Sequence, residues 1–140
     1  MGTALPLARA SGLDDAALDA VAIVQLEQRA DHAQQREQCY WYTRLLQALT
    51  ETAGREIASG QDQMLSATLT QIDVVMAKIQ NSSARDAKKL KDAEQLMQRM
   101  QGRLTDMARV ASDDEQARVK STLERFTQLH SKVLALVFLQ

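Results

Sequence analysis

Apolar residues recur with alternating steps of four and three through Leu65, Leu69, Ile72, Met76 and Ile79, the spacing of one face of an α-helix. After a gap the same phase resumes at Leu90, Ala93, Met97, Met100, Leu104, Met107 and Ala111, leaving Ser83 and Asp86 as its polar members. A pattern that keeps phase across its own interruption predicts one continuous helix over about 61–111. At ~1.5 Å per residue such a helix is ~75 Å long. The competing expectation breaks it at Asn81-Ser82-Ser83, with Ser83 as a new cap and Asp86 completing an imperfect capping box. Val75, Leu96 and Val110 flank the seam and widen it, which suits a bundle of three or more helices better than a two-stranded zipper.

Beyond Ala111 the phase fails, because the next seam positions would be Asp114, Arg118 and Ser121. A new phase starts with Val119, Leu123, Phe126, His130, Val133 and Val137. The slip coincides with Ser112-Asp113-Asp114-Glu115, whose Ser and Glu have capping-box spacing, and predicts a turn near Ser112 followed by a helix over 113–138. Upstream, Asp14 and Asp15 suit the positive end of a helix dipole, so a first helix is expected over about 14–58, ending at Ser59-Gly60. Residues 1–12, with Pro6 and small side chains, are expected as a flexible tail, and 13–140 as a single helical domain.

These elements predict an all-α fold: a long antiparallel helical hairpin, or coiled coil, on which a third, shorter C-terminal helix packs to form a partial three-helix bundle. The third helix reaches only the half of the hairpin containing Leu90 to Met107, opposite Leu18, Val21, Val24 and Leu26. The other half is then left with two helices. It carries Leu45, Leu46 and Leu49 on one helix and Leu65, Leu69, Ile72, Val74, Val75 and Met76 on the other. Two helices hide one stripe each, so this arm is expected to dimerise or to receive a partner helix, with Leu45, Leu49, Leu65, Leu69, Ile72, Val75 and Met76 as interface residues. In Glu27–Gln38 only Ala30 and Ala33 are apolar, which fits either close packing through small residues or a hydrated mid-section.

Composition agrees with helices: of 140 residues 45% are hydrophobic but only 4% aromatic, with one Pro and five Gly. A net charge of -1, from 17 basic and 18 acidic residues well interspersed, sets up no field for a polyanion, so nucleic acid is not expected as a partner. Lys88, Lys89 and Lys91, with Arg85, form the densest basic run, but Asp86, Asp92 and Glu94 dilute it into a solvated helix face. The single cysteine, Cys39, makes no internal disulfide. With no signal-like start, the expected location is cytoplasmic, or exported without a cleavable signal peptide. Val133–Leu139 is far shorter than the ~20 residues a membrane span needs, and with one nearby cation, Lys132, a membrane is not the expected partner.

Candidate chemistry is sparse. Cys39-Tyr40-Trp41-Tyr42 holds the one Trp and both Tyr residues, and four successive helical residues point in four directions. Some fill the core while the others cover a neighbouring surface, or Tyr40, Trp41 and Tyr42 anchor a partner, as aromatic hot spots do. The apolar run Val133–Leu139, including Leu136 and Phe138, either closes a small core, enters an oligomer interface or touches a membrane surface. His32 and His130 lack the Glu-x-x-His spacing of di-metal bundles, and no phosphate loop or cysteine pair is present, so no catalytic residue, cofactor or metal is expected.

The expected function is therefore non-enzymatic: protein–protein interaction or assembly, with a protein partner or a homo-oligomer. The short N-terminus, long hairpin and apolar C-terminal end resemble the general plan of small bacterial type III secretion proteins, a similarity of architecture that implies a structural subunit or small helical chaperone of a secretion apparatus. The chain departs from needle subunits in its greater length and in lacking their Pro-containing turn. The alternative is a helical adaptor or regulator presenting a groove to a partner helix.

Overall fold

The computed structural model describes residues 19–140, and within them the gap in the long apolar seam is a chain crossing between two separate helices. Helical residues 19–32 (α1) are followed by α2 (Gln35–Ala58), α3 (Asp62–Ser82), α4 (Leu90–Val110) and α5 (Asp113–Phe138). The fold is all-α, five helices packed in a bundle without strands among the described residues; the expected single hairpin with one added helix is overturned. Both long helices of that expectation, 14–58 and 61–111, are interrupted, at 33–34 and at 83–89. The expected tail over 1–12, the helix start near Asp14, and Leu18 lie outside the described residues.

Local chemistry accounts for each boundary. At the end of α3 the hydroxyls of Ser82 and Ser83 and the Ser83 N–H all donate to the Ile79 carbonyl, at 3.1, 2.7 and 2.7 Å. Serine hydroxyls that bond back to an earlier carbonyl compete with the helical ladder. The chain then turns through Ala84–Ala87, closed by Ala87 N–H to Ala84 O at 3.0 Å, and enters α4 through Lys89 in the left-handed region (φ 56°). At the tip of α2 and α3, Gly60 supplies φ 67°. Gly60 N–H donates to Ile57 O and Gln61 N–H to Glu56 O, the paired bonds of a Schellman end. Ser112 caps α5 through its backbone carbonyl, which accepts from Glu115 and Gln116 N–H, and its hydroxyl makes no capping bond, contrary to the capping-box expectation.

Helix directions follow from cross-links whose residue numbers rise or fall together. The α2–α3 and α4–α5 pairs are antiparallel hairpins, shown for the second by Gln116 to Ala108 O, Gln101 to Thr127 and His130 to Glu94. Helices α2 and α4 run parallel, linked by Lys88 N–H to Arg36 O, Thr50 to Met100 Sδ and Arg103 to Glu51. Helices α3 and α5 are also parallel, through Arg118 and Arg125 to Asp73 and Lys132 to Gln80 O. Thus α2 and α5 occupy one diagonal of a four-sided bundle and α3 and α4 the other, with 83–89 crossing between them. Helix α1 folds back antiparallel over the outer face of α2, pairing Asp19 with Arg55 and Asp31 with Tyr42.

The seam residues of both halves point into this one core: Leu69, Ile72, Ile79, Ala93, Met97 and Leu104 are all completely buried, with Phe126 and Val133 of α5. A fully buried Leu or Met side chain contributes about 1.5–3 kcal/mol. An exposed ion pair contributes about 0–1 kcal/mol. Burial therefore decides the architecture, and the Asp73–Arg118–Arg125 clasp trims one edge of it.

The crossing makes a clear test. Arg85 is the second residue of the Ala84–Ala87 turn, where proline is favoured, and its N–H enters no backbone bond outside the helices. Arg85→Pro should change unfolding free energy in urea by less than about 1 kcal/mol. Were the helix continuous, the same change would cost about 3 kcal/mol or more. Arg99→Pro, inside α4, is the control and should show that larger loss.

Candidate protein-interaction site

The arm expected to be bare does not exist, because α4 turns back and the α4–α5 hairpin covers it. Leu45, Leu49, Leu65, Leu69, Ile72, Val75 and Met76, proposed from the sequence as interface residues, are each at most 5% exposed within the chain's own core. Tyr42 is buried as well. Its hydroxyl donates to Asp31 Oδ1 at 2.6 Å while the Lys78 ammonium lies 5.5 Å from its ring centroid, so it ties α1 to α2 and α3. Of the C-terminal candidates, Leu136 is half-buried against the core, and Phe138 stands 81% exposed at the end of α5.

Tyr40 and Trp41 remain partly open and meet edge to face, with ring centroids 5.2 Å apart. Around them the fold gathers three cations. The Arg29 guanidinium of α1 lies 3.9 Å from the Trp41 centroid. Arg44 lies 5.7 Å from the same ring and donates to the Tyr40 hydroxyl at 3.0 Å. The Lys89 ammonium is 4.7 Å from the Tyr40 ring. Arg44 is legible from the sequence, being one helical turn beyond Tyr40 and Trp41 on α2. Arg29 and Lys89 are not, since one reaches the cluster through the reversal at 33–34 and the other through the crossing at 83–89.

Beside this cluster lies a groove of about 700 Å³ between α1 and α2, lined by Ala22, Gln25, Leu26, Gln28, Arg29, Trp41 and Arg44. A second groove of about 340 Å³ continues along the same two helices past Ala48 to Arg55, where Asp19 and Glu51 join the lining. The packing of α1 is shallow. Ala30 is its one fully buried side chain among the described residues, Ile23 and Leu26 are half-buried, and Val21 and Val24 face out at 53% and 52% exposure.

Elsewhere the polar groups are used internally. Cys39 is fully buried, and burial pushes its thiol pKa up, so it has little thiolate character. His130 Nε2 meets the buried Glu94 carboxylate at 2.9 Å and holds α5 to α4. His32 Nδ1 lies 2.7 Å from the Gln28 carbonyl at the end of α1. Among the described residues no group of three or more His, Cys, Asp or Glu is placed to hold a metal ion, and no helix is long and apolar enough to cross a membrane. Comparison with protein-family models, curated proteins and solved structures finds no match for this chain.

The Asp31–Tyr42 bond sets a pH dependence. The Tyr42 hydroxyl, and secondarily Lys78, hold the Asp31 carboxyl below its ordinary 3.8. Burial, then the Asp31 hydrogen bond and charge, push Tyr42 from 10.0 up to about 12. A lowered carboxyl stabilises the fold above its ordinary pKa and stops doing so as pH falls below it; a raised phenol stabilises below its ordinary pKa and stops as pH rises toward its folded value. Wild type should therefore exceed Tyr42→Phe by about 1 kcal/mol near neutrality. In urea titrations across pH, that margin should narrow below pH 3.8 and again between pH 10.0 and about 12. A margin independent of pH would show that the bond does not hold α1.

Proposed function

We propose that this chain is a non-enzymatic protein-binding bundle, an adaptor that presents the α1–α2 face to a partner. The observation that supports it is Trp41: the one Trp of the chain is kept partly open beside a groove and flanked by cations, although the core is otherwise closed. Tryptophan and arginine are the residue types that carry most binding energy at interfaces. The bundle supplies a rigid frame for them, since α2 is buried along its inner face from Cys39 to Glu56.

Self-association is a second reading, favoured by Phe138 at 81%, Val110 at 70% and Leu139 at 55% exposure. It would suit a structural subunit. The resemblance to type III secretion proteins rested on a short N-terminus, a long hairpin and an apolar C-terminal end, and of these the single long hairpin is replaced by a bundle.

A Trp41→Ala variant separates these roles. Its far-UV circular dichroism should match wild type, while association with a partner crosslinked at native protein levels should weaken roughly thirtyfold. Sedimentation at micromolar concentration should show wild type as a monomer. A self-associating wild type would favour the subunit reading, and a variant that retains its partner, or a wild type with neither partner nor self-association, would sink the adaptor.

A further inference from the structure

We propose that the groove beside Trp41 is the docking site for a short acidic amphipathic helix of a partner protein. This deepens the adaptor reading above and rests on it. The groove has an apolar floor of Ala22, Leu26 and the Trp41 ring, and a guanidinium from each wall, Arg29 from α1 and Arg44 from α2; among the described residues no carboxylate lines it. Neither arginine enters an ion pair among the described residues. The Arg29 guanidinium carbon lies 3.9 Å from the Trp41 ring centroid, and Arg29 makes no hydrogen bond among the described residues. A guanidinium held over a ring in this way keeps N–H donors available to a carboxylate.

The contrast with the groove between α3 and α5 sharpens the point. There Arg125 is bound in two-pronged fashion by Asp73, and Lys132 donates to Gln80 O, so its cations already have acceptors. At Trp41 Arg44 donates to the Tyr40 hydroxyl and neither arginine has a carboxylate acceptor among the described residues, so the complement is a ligand with carboxylates beside an apolar ridge. From Ala22 to Arg29 the wall runs about two helical turns, or roughly 10 Å. That seats two turns of a helix carrying Leu- or Phe-like anchors with Glu or Asp beside them. Polyanions are a poorer fit, since the chain as a whole carries a net charge of -1 and the lining offers two cations, whereas a nucleic acid is tracked through many phosphates.

Trp41, the one Trp in the chain, is its own reporter. The probe is a capped, Trp-free peptide of about 14 residues, long enough to be partly helical, with Leu at helical spacing and Glu flanking; its partner probe has every Glu replaced by Lys. Titrated into the full chain, the Glu peptide should shift Trp41 emission saturably, bind at least about tenfold more tightly than the Lys peptide, and weaken with salt. The double variant Arg29→Glu, Arg44→Glu should reverse that preference, a gain for the Lys peptide that unfolding could not produce.

Equal binding of the two peptides, or no saturable shift, would overturn the proposal. So would an emission change with chain concentration alone, which would assign the groove to a second copy, or tighter binding to anionic phosphatidylglycerol vesicles than to the Glu peptide. If the peptide fails while Trp41→Ala still releases the native partner, the acidic-helix assignment falls and the adaptor reading stands. If Trp41→Ala releases nothing, both fall.

Discussion

The bundle depends on two apolar seams, those of α3 and α4, reaching one core from opposite corners. Two hairpins of this length each bury only one stripe per helix, and α3 and α4 both carry stripes that need more cover than a hairpin partner provides. Crossing the diagonal at 83–89 lets each seam meet the other hairpin. The crossing is pinned where it passes α2: Lys88 N–H donates to Arg36 O at 2.7 Å, and Arg36 Nε donates to Asp86 O at 2.9 Å. Its own Ala87 is 4% exposed and continues the core between Ile79 and Leu90. Without that crossing, Ile72 and Met76 would be left for a second copy or a partner helix to cover, as in the hairpin expectation.

Polar groups inside the bundle are arranged to avoid the cost of burial. Thr43 and Thr50, both fully buried, donate to the carbonyls of Cys39 and Leu46 one turn earlier. Glu94 is met by His130. Glu56 departs from this rule, being 5% exposed with one carboxylate oxygen buried and unpartnered near the α2–α3 tip. An unpaired buried acceptor costs about 1–3 kcal/mol.

Against this closed core, α1 is attached by a different kind of force. Beyond Ala30 and the half-buried Ile23 and Leu26 it adds little buried apolar area, and its polar contacts include an ion pair to Arg55, a guanidinium over Trp41 and the Asp31–Tyr42–Lys78 group. Such contacts at a wet surface are each weak and sensitive to salt and pH. Helices held in this way open at lower free energy than the core that carries them. The α1–α2 face is consequently both the most chemically distinctive surface and the least firmly closed one.

The linear pattern by itself determined that the chain is helical, which apolar stripe α3, α4 and α5 each carry, where α2 ends at Gly60, and where α5 begins after Ser112. Each depends on spacing within one helix or on a local turn. What it could not determine was how the helices are divided. A seam that holds phase across Ser83 and Asp86 looks continuous, but two separate helices facing one core also carry the same three-and-four spacing, and their phases coincide readily because a helix offers fewer than four positions per turn. The decisive fact is nonlocal: a backbone bond from Lys88 to Arg36 holds the crossing, and the left-handed turn at Lys89 that starts α4 follows from it. The same holds at the site. Tyr40, Trp41 and Arg44 share a helix face that spacing reveals, whereas Arg29 and Lys89 join them only because the chain reverses at 33–34 and crosses at 83–89, placements that tertiary packing alone decides.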